Sequence, residues 1–187
     1  MAVTTLDAKI ALIVIDLQQG IAALPTAHPV HDVVKHASAL ADAFRRHRLP
    51  VVLVNVAGAA PGRAEQARRI TSFPPGWTDI LPELNPHPQD HRVTKRTWGA
   101  FTNTGLEEYL RLHGVTQVVI VGVATSAGVE STARQAHERG FNVTLAVDAM
   151  TDVSPDAHSN SIARIFPRLG ETGTTEEIIE LLDRARA

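Results

Sequence analysis

The sequence contains no cysteine. That absence removes disulfides, thiolate metal sites and thiol nucleophiles together. It also lacks any apolar run near the roughly 20 residues needed to span a bilayer. The N-terminal segment MAVTTLDAKI has neither the basic nor the apolar region of a signal peptide, so a cytoplasmic protein off the membrane is expected. No basic run is present and the formal net charge is -2, which argues against nucleic acid as a partner. Its nine histidines show no ligand clustering. His87 and His91 have the separation of one helix face, but Pro86 and Pro88 oppose a helix there. Zinc needs several converging donors, so neither a metal nor a cofactor is expected.

What is present is the composition of a packed domain. At 187 residues, with 44% hydrophobic and 20% charged residues, the chain is long enough for a real core and short for two domains. It reads as a single domain over residues 1–187, without repeats or linkers. KIALIVID (9–16) is a short apolar run that ends in a carboxylate, the pattern of a central parallel strand. Asp16 is then either placed at the sheet's carboxyl edge for chemistry or is a turn residue bonded to its own backbone. Gln18 and Gln19 begin an irregular loop that Pro25 and Pro29 keep from helix.

Apolar residues recur at three and four from 29 to 48, which predicts an amphipathic helix ending in the solvated cluster Arg45, Arg46, His47 and Arg48. Residues 51–56 form the second strand. The Pro- and Gly-rich stretch 57–88 is a long loop of the kind that serves as a lid or binding surface. Two short helical turns are allowed within it. Arg63, Gln66, Arg68 and Arg69 are either acid-binding groups or solvated surface, and Trp77 is positioned to anchor the loop. HRVTK (91–95) reads as a third strand ending in Lys95, at the edge where Asp16 emerges. Trp98 and Phe101 follow, as pocket walls or as core.

A helix over 104–113, boxed by Thr104 and Glu107 and closed by Gly114, precedes the fourth strand at 117–121. A fifth strand covers 141–147, with Asp148 and Asp152 in the loop beyond it. Ser154 and Pro155 open a helix to about Arg168. A short strand at 170–173 and a final helix boxed by Thr174 and Glu177 complete the chain. Alternating strands and helices predict a three-layer α/β/α fold, with a Rossmann-like, parallel six-stranded sheet of order 3-2-1-4-5-6. That order sets Asp16, Lys95 and the turn after the fourth strand around one crevice.

The turn is the richest stretch. VVIVGVATSAGVESTARQA (118–136) is a buried strand that meets Gly122 and leads into a helix, with Thr125 or Ser126 as its cap and Gly128 leaving the turn bare. Backbone N–H groups at such a helix mouth attract a carboxylate or an oxyanion. G-V-A-T-S-x-G-V-E-S-T-A-R resembles the nucleophile segment of the isochorismatase-like hydrolases, also called the cysteine hydrolase family, whose commoner form is G-V-A-T-x-x-C-V-E-x-T-A-R. Asp16 in V-I-D-L-Q and Lys95 in K-R-T-W-G-A-F stand in the family's order, and the resemblance spans nearly the whole chain.

The resemblance implies Asp16, Lys95 and Gly128 as the catalytic positions, with Gly128 where most members carry cysteine. Gln18, Trp98, Phe101, Ala124, Thr125 and Arg63 are the candidate substrate-binding residues. It also implies a cis peptide between Val123 and Ala124, a mainly structural D-A-x-x-D pattern at Asp148 and Asp152, a small-molecule substrate, and a homo-oligomer, dimer or tetramer. Without a thiol no acyl-enzyme forms at residue 128. True isochorismatases share the glycine, which implies Asp16 as general acid on a vinyl ether such as isochorismate. Their turn reads G-x-Y-A-H-x-G-C, whereas Ala124 and Ser126 replace the tyrosine and histidine here. Water-mediated hydrolysis of another small amide or ester, and a catalytically silent ligand-binding scaffold, therefore stand beside the vinyl-ether reading.

Overall fold

A computed structural model describes residues 3–65 and 72–186. Its strands are β1 (Ile10–Ile15), β2 (Val51–Val56), β3 (His91–Lys95), β4 (Gln117–Val123), β5 (Asn142–Thr151) and β6 (Glu171–Gly173). They form one sheet of order β3-β2-β1-β4-β5-β6, and every pairing is parallel. Every residue of β1 and β4 is buried, as expected for central strands covered on both faces. The expected order is the observed one.

The helices are α1 (Gln19–Ala22), α2 (Val30–Arg46), α3 (Leu106–Leu112), α4 (Glu130–Glu138), α5 (Pro155–Asn160) and α6 (Thr175–Ala185). They cover both faces of the sheet. Because side chains alternate along a strand, Ile10, Leu12 and Val14 pack under α2 and α6 with Phe44, Ile178 and Leu182. Ala11, Ile13 and Ile15 face the opposite layer, with Leu106, Leu110, Val129 and Ala133. Each fully buried large aliphatic contributes roughly 1.5–3 kcal/mol of transfer free energy. Among the described residues no helix is long and apolar enough to cross a membrane.

Several local expectations are corrected. Gln19–Ala22 forms one helical turn rather than irregular loop, and the isolated bridge between Gln18 and Ile80 ties it to the long loop. In that loop the described residues hold one 3-10 turn, Pro82–Leu84. Thr104 does not box α3: Gly105 is the N-cap at φ 72°, and Glu107 pairs with Arg139 instead. Arg45 is not a solvated helix end. Its guanidinium is bound by the nearly closed Asp90 carboxylate at 2.7 Å and by Asp42 at 2.9 Å. β5 runs to Thr151, so Asp148 lies within the strand, where pairing with β4 shifts register. Ser154 caps α5, and Thr174 with Glu177 forms the full capping box of α6, as the sequence predicts.

Candidate active site

The site begins where β1 stops. Asp16 follows the strand in the left-handed region at φ 50°, while its N–H still donates to Val54 O at 2.9 Å. A non-glycine residue there is uncommon, and such strain gathers at functional positions. The Asp16 side chain is buried, 5% exposed. Lys95, the last residue of β3, is 1% exposed, and its Nζ donates to Asp16 Oδ2 at 2.7 Å and to Thr97 O at 3.2 Å. Burial disfavours the carboxylate more than the Lys95 charge and hydrogen bond favour it, so the Asp16 pKa is pushed up to about 6. Its other oxygen, Oδ1, is buried without a hydrogen-bond partner. Buried polar atoms are nearly always satisfied, so this one marks a place for a proton or a ligand atom.

The second wall of the site is the turn after β4. Gly122, at φ 119°, lies opposite Ile15 in the sheet register. A Cβ built there falls 2.0 Å from Ile15 O, so only glycine lets β4 approach the end of β1 this closely. The Val123–Ala124 peptide is cis. A π-turn over Thr125–Val129 then runs straight into α4. A Cβ at Gly128 would sit 3.3 Å from Asp16 Oδ2, 3.4 Å from Val123 O and 2.9 Å from Ile15 Cγ2. Residue 128 thus faces the Asp16 carboxyl directly, and glycine leaves room beside it.

What caps this turn differs from expectation. The N-cap is Ala124, and neither Thr125 nor Ser126 caps through its own side chain. Instead Asp152 Oδ2 accepts from both Ser126 N–H and Ser126 Oγ–H at 2.8 Å, while Oδ1 accepts from Ser154 N–H at 3.1 Å. Asp148 plays the same part at α6, accepting from Thr175 N–H at 2.8 Å and from Thr175 Oγ1 at 3.0 Å. The two aspartates of D-A-x-x-D each close a helix mouth that belongs to another element. A carboxylate there satisfies free backbone donors and meets the positive end of the helix dipole.

The structure brings Asp16, Lys95 and Gly128 together at the carboxyl edge of the sheet, with Ala124 half-buried beside them. It does not bring every candidate substrate-binding side chain there. Gln18 is fully buried: its amide clamps the backbone, donating to Val56 O and Trp77 O and accepting from Val56 N–H. Phe101 belongs to the core beside Phe141. Thr125 is fully buried with its hydroxyl 2.8 Å from His158 Nδ1. Trp98 is 66% exposed, and Arg63 is exposed in the long loop. Gln66, Arg68 and Arg69 lie outside the described residues. Trp77 does anchor the loop, its ring filling the space a Cβ on Gly20 would need.

Sequence reading missed His28 and His158, which meet behind the turn with ring centroids 4.7 Å apart. No spacing rule finds residues so distant in the chain. Among the described residues, no three histidine or carboxylate side chains converge as a metal-ligand set.

Residues 10–177 match the isochorismatase domain. The isochorismatase family protein YwoC of Bacillus subtilis (strain 168) is 40% identical over 179 residues, covering 92% of this chain and 93% of that protein. Streptothricin hydrolase of Streptomyces noursei is 34% identical over 185 residues, covering 95% of this chain and 63% of that one. A solved isochorismatase family protein from Burkholderia thailandensis superposes with a TM-score of 0.92 at 39% identity, covering 96% of this chain and 98% of the other. With the expected strand order observed and the domain match spanning most of its length, this chain belongs to the isochorismatase family of hydrolases.

Proposed function

We propose that the protein hydrolyses a small vinyl ether such as isochorismate without covalent catalysis, with Asp16 as the general acid. The observation that carries this reading is the Asp16 carboxyl: buried, held on one oxygen by Lys95, unpaired on the other, and with a pKa of about 6. Such a group is protonated in an appreciable fraction near neutrality and can deliver its proton from a site largely shielded from bulk solvent. The proton goes from Asp16 to the terminal enol carbon, leaving an oxocarbenium ion. Water adds to that cation, the hemiketal collapses to pyruvate and an alcohol, and Asp16 recovers a proton. Lys95 keeps the carboxyl oriented, and the 124–128 turn holds a substrate carboxylate or ring oxygen. Gly128, where the resemblance puts cysteine in most members, leaves the space beside Asp16 to substrate and water.

The test is pyruvate release from isochorismate and related enol ethers, with Asp16→Asn as control. Turnover that Asp16→Asn abolishes is expected. Absence of turnover across enol ethers overturns the reading.

A second reading is water-mediated hydrolysis of another small amide or ester, with Asp16 as general base. The kinship with streptothricin hydrolase favours it. Release of acid or amine from an amide and ester panel distinguishes the two. A catalytically silent ligand-binding scaffold would instead keep its ligand affinity and every measured turnover unchanged in Asp16→Ala, and any Asp16-dependent catalysis rules it out.

A further inference from the structure

Behind the turn, on the β5 side, lies a polar cluster that the proposed chemistry does not use, with Thr125, Thr151 and His158 buried and His28 exposed at its rim. Thr125 Oγ1 and His158 Nδ1 are 2.8 Å apart and buried. The His158 ring lies against His28 at 4.7 Å, tilted by 55°. The N–H of His28 donates to Thr151 Oγ1 at 3.1 Å, and His28 Nδ1 is also 3.1 Å from that oxygen. Thr151 in turn pairs with Val123 in the sheet. The two histidines therefore grip both sides of the point where β4 becomes the turn.

A hydroxyl beside an imidazole is also the geometry of a nucleophile and its base. Full burial of Thr125 denies that role, because no substrate reaches the oxygen. What remains is mechanical. Building on the reading of the 124–128 turn as the element that holds substrate, we propose that His158 is a positioning residue: while neutral it holds Thr125, and through it the turn, against Asp16, and its protonation loosens that turn.

The physical reason is the donor count. An imidazolium has two donors and no acceptor, so on protonation the Thr125 hydroxyl loses the nitrogen able to accept its proton. Charge also appears in a desolvated place next to a second imidazole. Burial first, and His28 second, hold His158 below the ordinary histidine pKa, against the opposing pull of Asp152. His28 comes from the segment ahead of α2, and Asp152 from the end of β5 with both its oxygens already engaged. The turn offers only the neutral Thr125. On α4, Glu130 is turned to Ser161 and Arg134.

The test needs no substrate, so it stands apart from the identity of the reaction. Amide signals of Ser126, Ala127 and Val129 are followed by NMR from about pH 7.5 to about pH 5, which spans the ordinary histidine range, together with the ring nitrogens of His158. Asp16→Asn serves as the background, because Asp16 itself titrates in this window. The expected result is one shared midpoint for the ring and the three amides, below the ordinary histidine value. On its acid side the protection of the turn amides, read as exchange relative to the intrinsic rate at each pH, falls about fivefold, the weight of one ordinary hydrogen bond. In Asp16→Asn with His158→Asn, whose amide still reaches Thr125 but does not titrate, the transition disappears. The proposal is overturned if the amides titrate unchanged in that double variant, or if the His158 ring titrates in Asp16→Asn while the amides stay still. Should the double variant not fold, the ring-and-amide comparison in Asp16→Asn decides alone.

Discussion

Lys95 Nζ lies 2.7 Å from Asp16 Oδ2, although β2 separates the strands that carry them. The long lysine stem carries the ammonium past the end of the middle strand. The result is an ion pair nearly closed to solvent, in which burial still outweighs the attraction and keeps the acid ready to hold its proton.

That balance fixes the pH dependence. If Asp16 is the general acid, only the protonated form works, and it is half populated at about pH 6. With an enol ether as substrate, kcat/KM is expected to level off below that pH and to fall about tenfold per unit above it. A general base gives the opposite slope. The pH–rate profile of the free enzyme reads the sign, and Asp16→Asn should reduce the rate by about 10²–10⁴.

Lys95→Met removes the charge that opposes burial, so the Asp16 pKa should climb above about 6. The carboxyl then stays neutral at pH 7, observable as a carbonyl infrared or 13C signal that resists titration. Turnover should fall because the acid has lost the partner that orients it. An unchanged or lower Asp16 pKa in this variant would show that Lys95 does not govern it.

Gly128→Ala puts a methyl 2.9 Å from Ile15 Cγ2 and 3.3 Å from Asp16 Oδ2. Overpacking of this kind costs about 1–3 kcal/mol, and it presses on the Asp16 carboxyl as well. Urea denaturation should show the loss. Gly62→Ala, where a Cβ meets nothing within 4 Å, is the control and should stay within about 0.5 kcal/mol of the wild type.

Asp152→Ala strips the cap from the turn, freeing Ser126 N–H and Ser154 N–H. Cap loss costs about 0.5–2 kcal/mol. Asp152→Asn keeps an acceptor oxygen and should lie between the two. Thermal denaturation ranks the three proteins, and turnover should follow the same order because the turn faces Asp16.

The elements were legible in the sequence because their signals are local. The all-apolar 10–15 and 118–121 runs, the three-and-four spacing of α2 and the box at Thr174 depend on neighbours a few residues away. The strand order expected is the common one for alternating strands and helices, 3-2-1-4-5-6, and the sheet has it. Local rules failed where a distant group supplied the bond. Asp152 caps the turn in place of Thr125 or Ser126, Glu107 turns from Thr104 to Arg139, and Asp90 draws Arg45 out of solvent.

By itself, the sequence determined that no thiol takes part, that strands alternate with helices, that Asp16 and Lys95 stand at the ends of their strands, and that Gly128 lies in the turn after another. Tertiary structure decided which of these groups touch. It closed the Lys95–Asp16 pair, left Asp16 Oδ1 unpaired, sent Gln18, Phe101 and Thr125 inward, and joined His28 to His158 across a long stretch of chain. The reason is that backbone periodicity is set by neighbouring residues, whereas desolvation and hydrogen bonding at a sheet edge depend on whatever the packed strands deliver there.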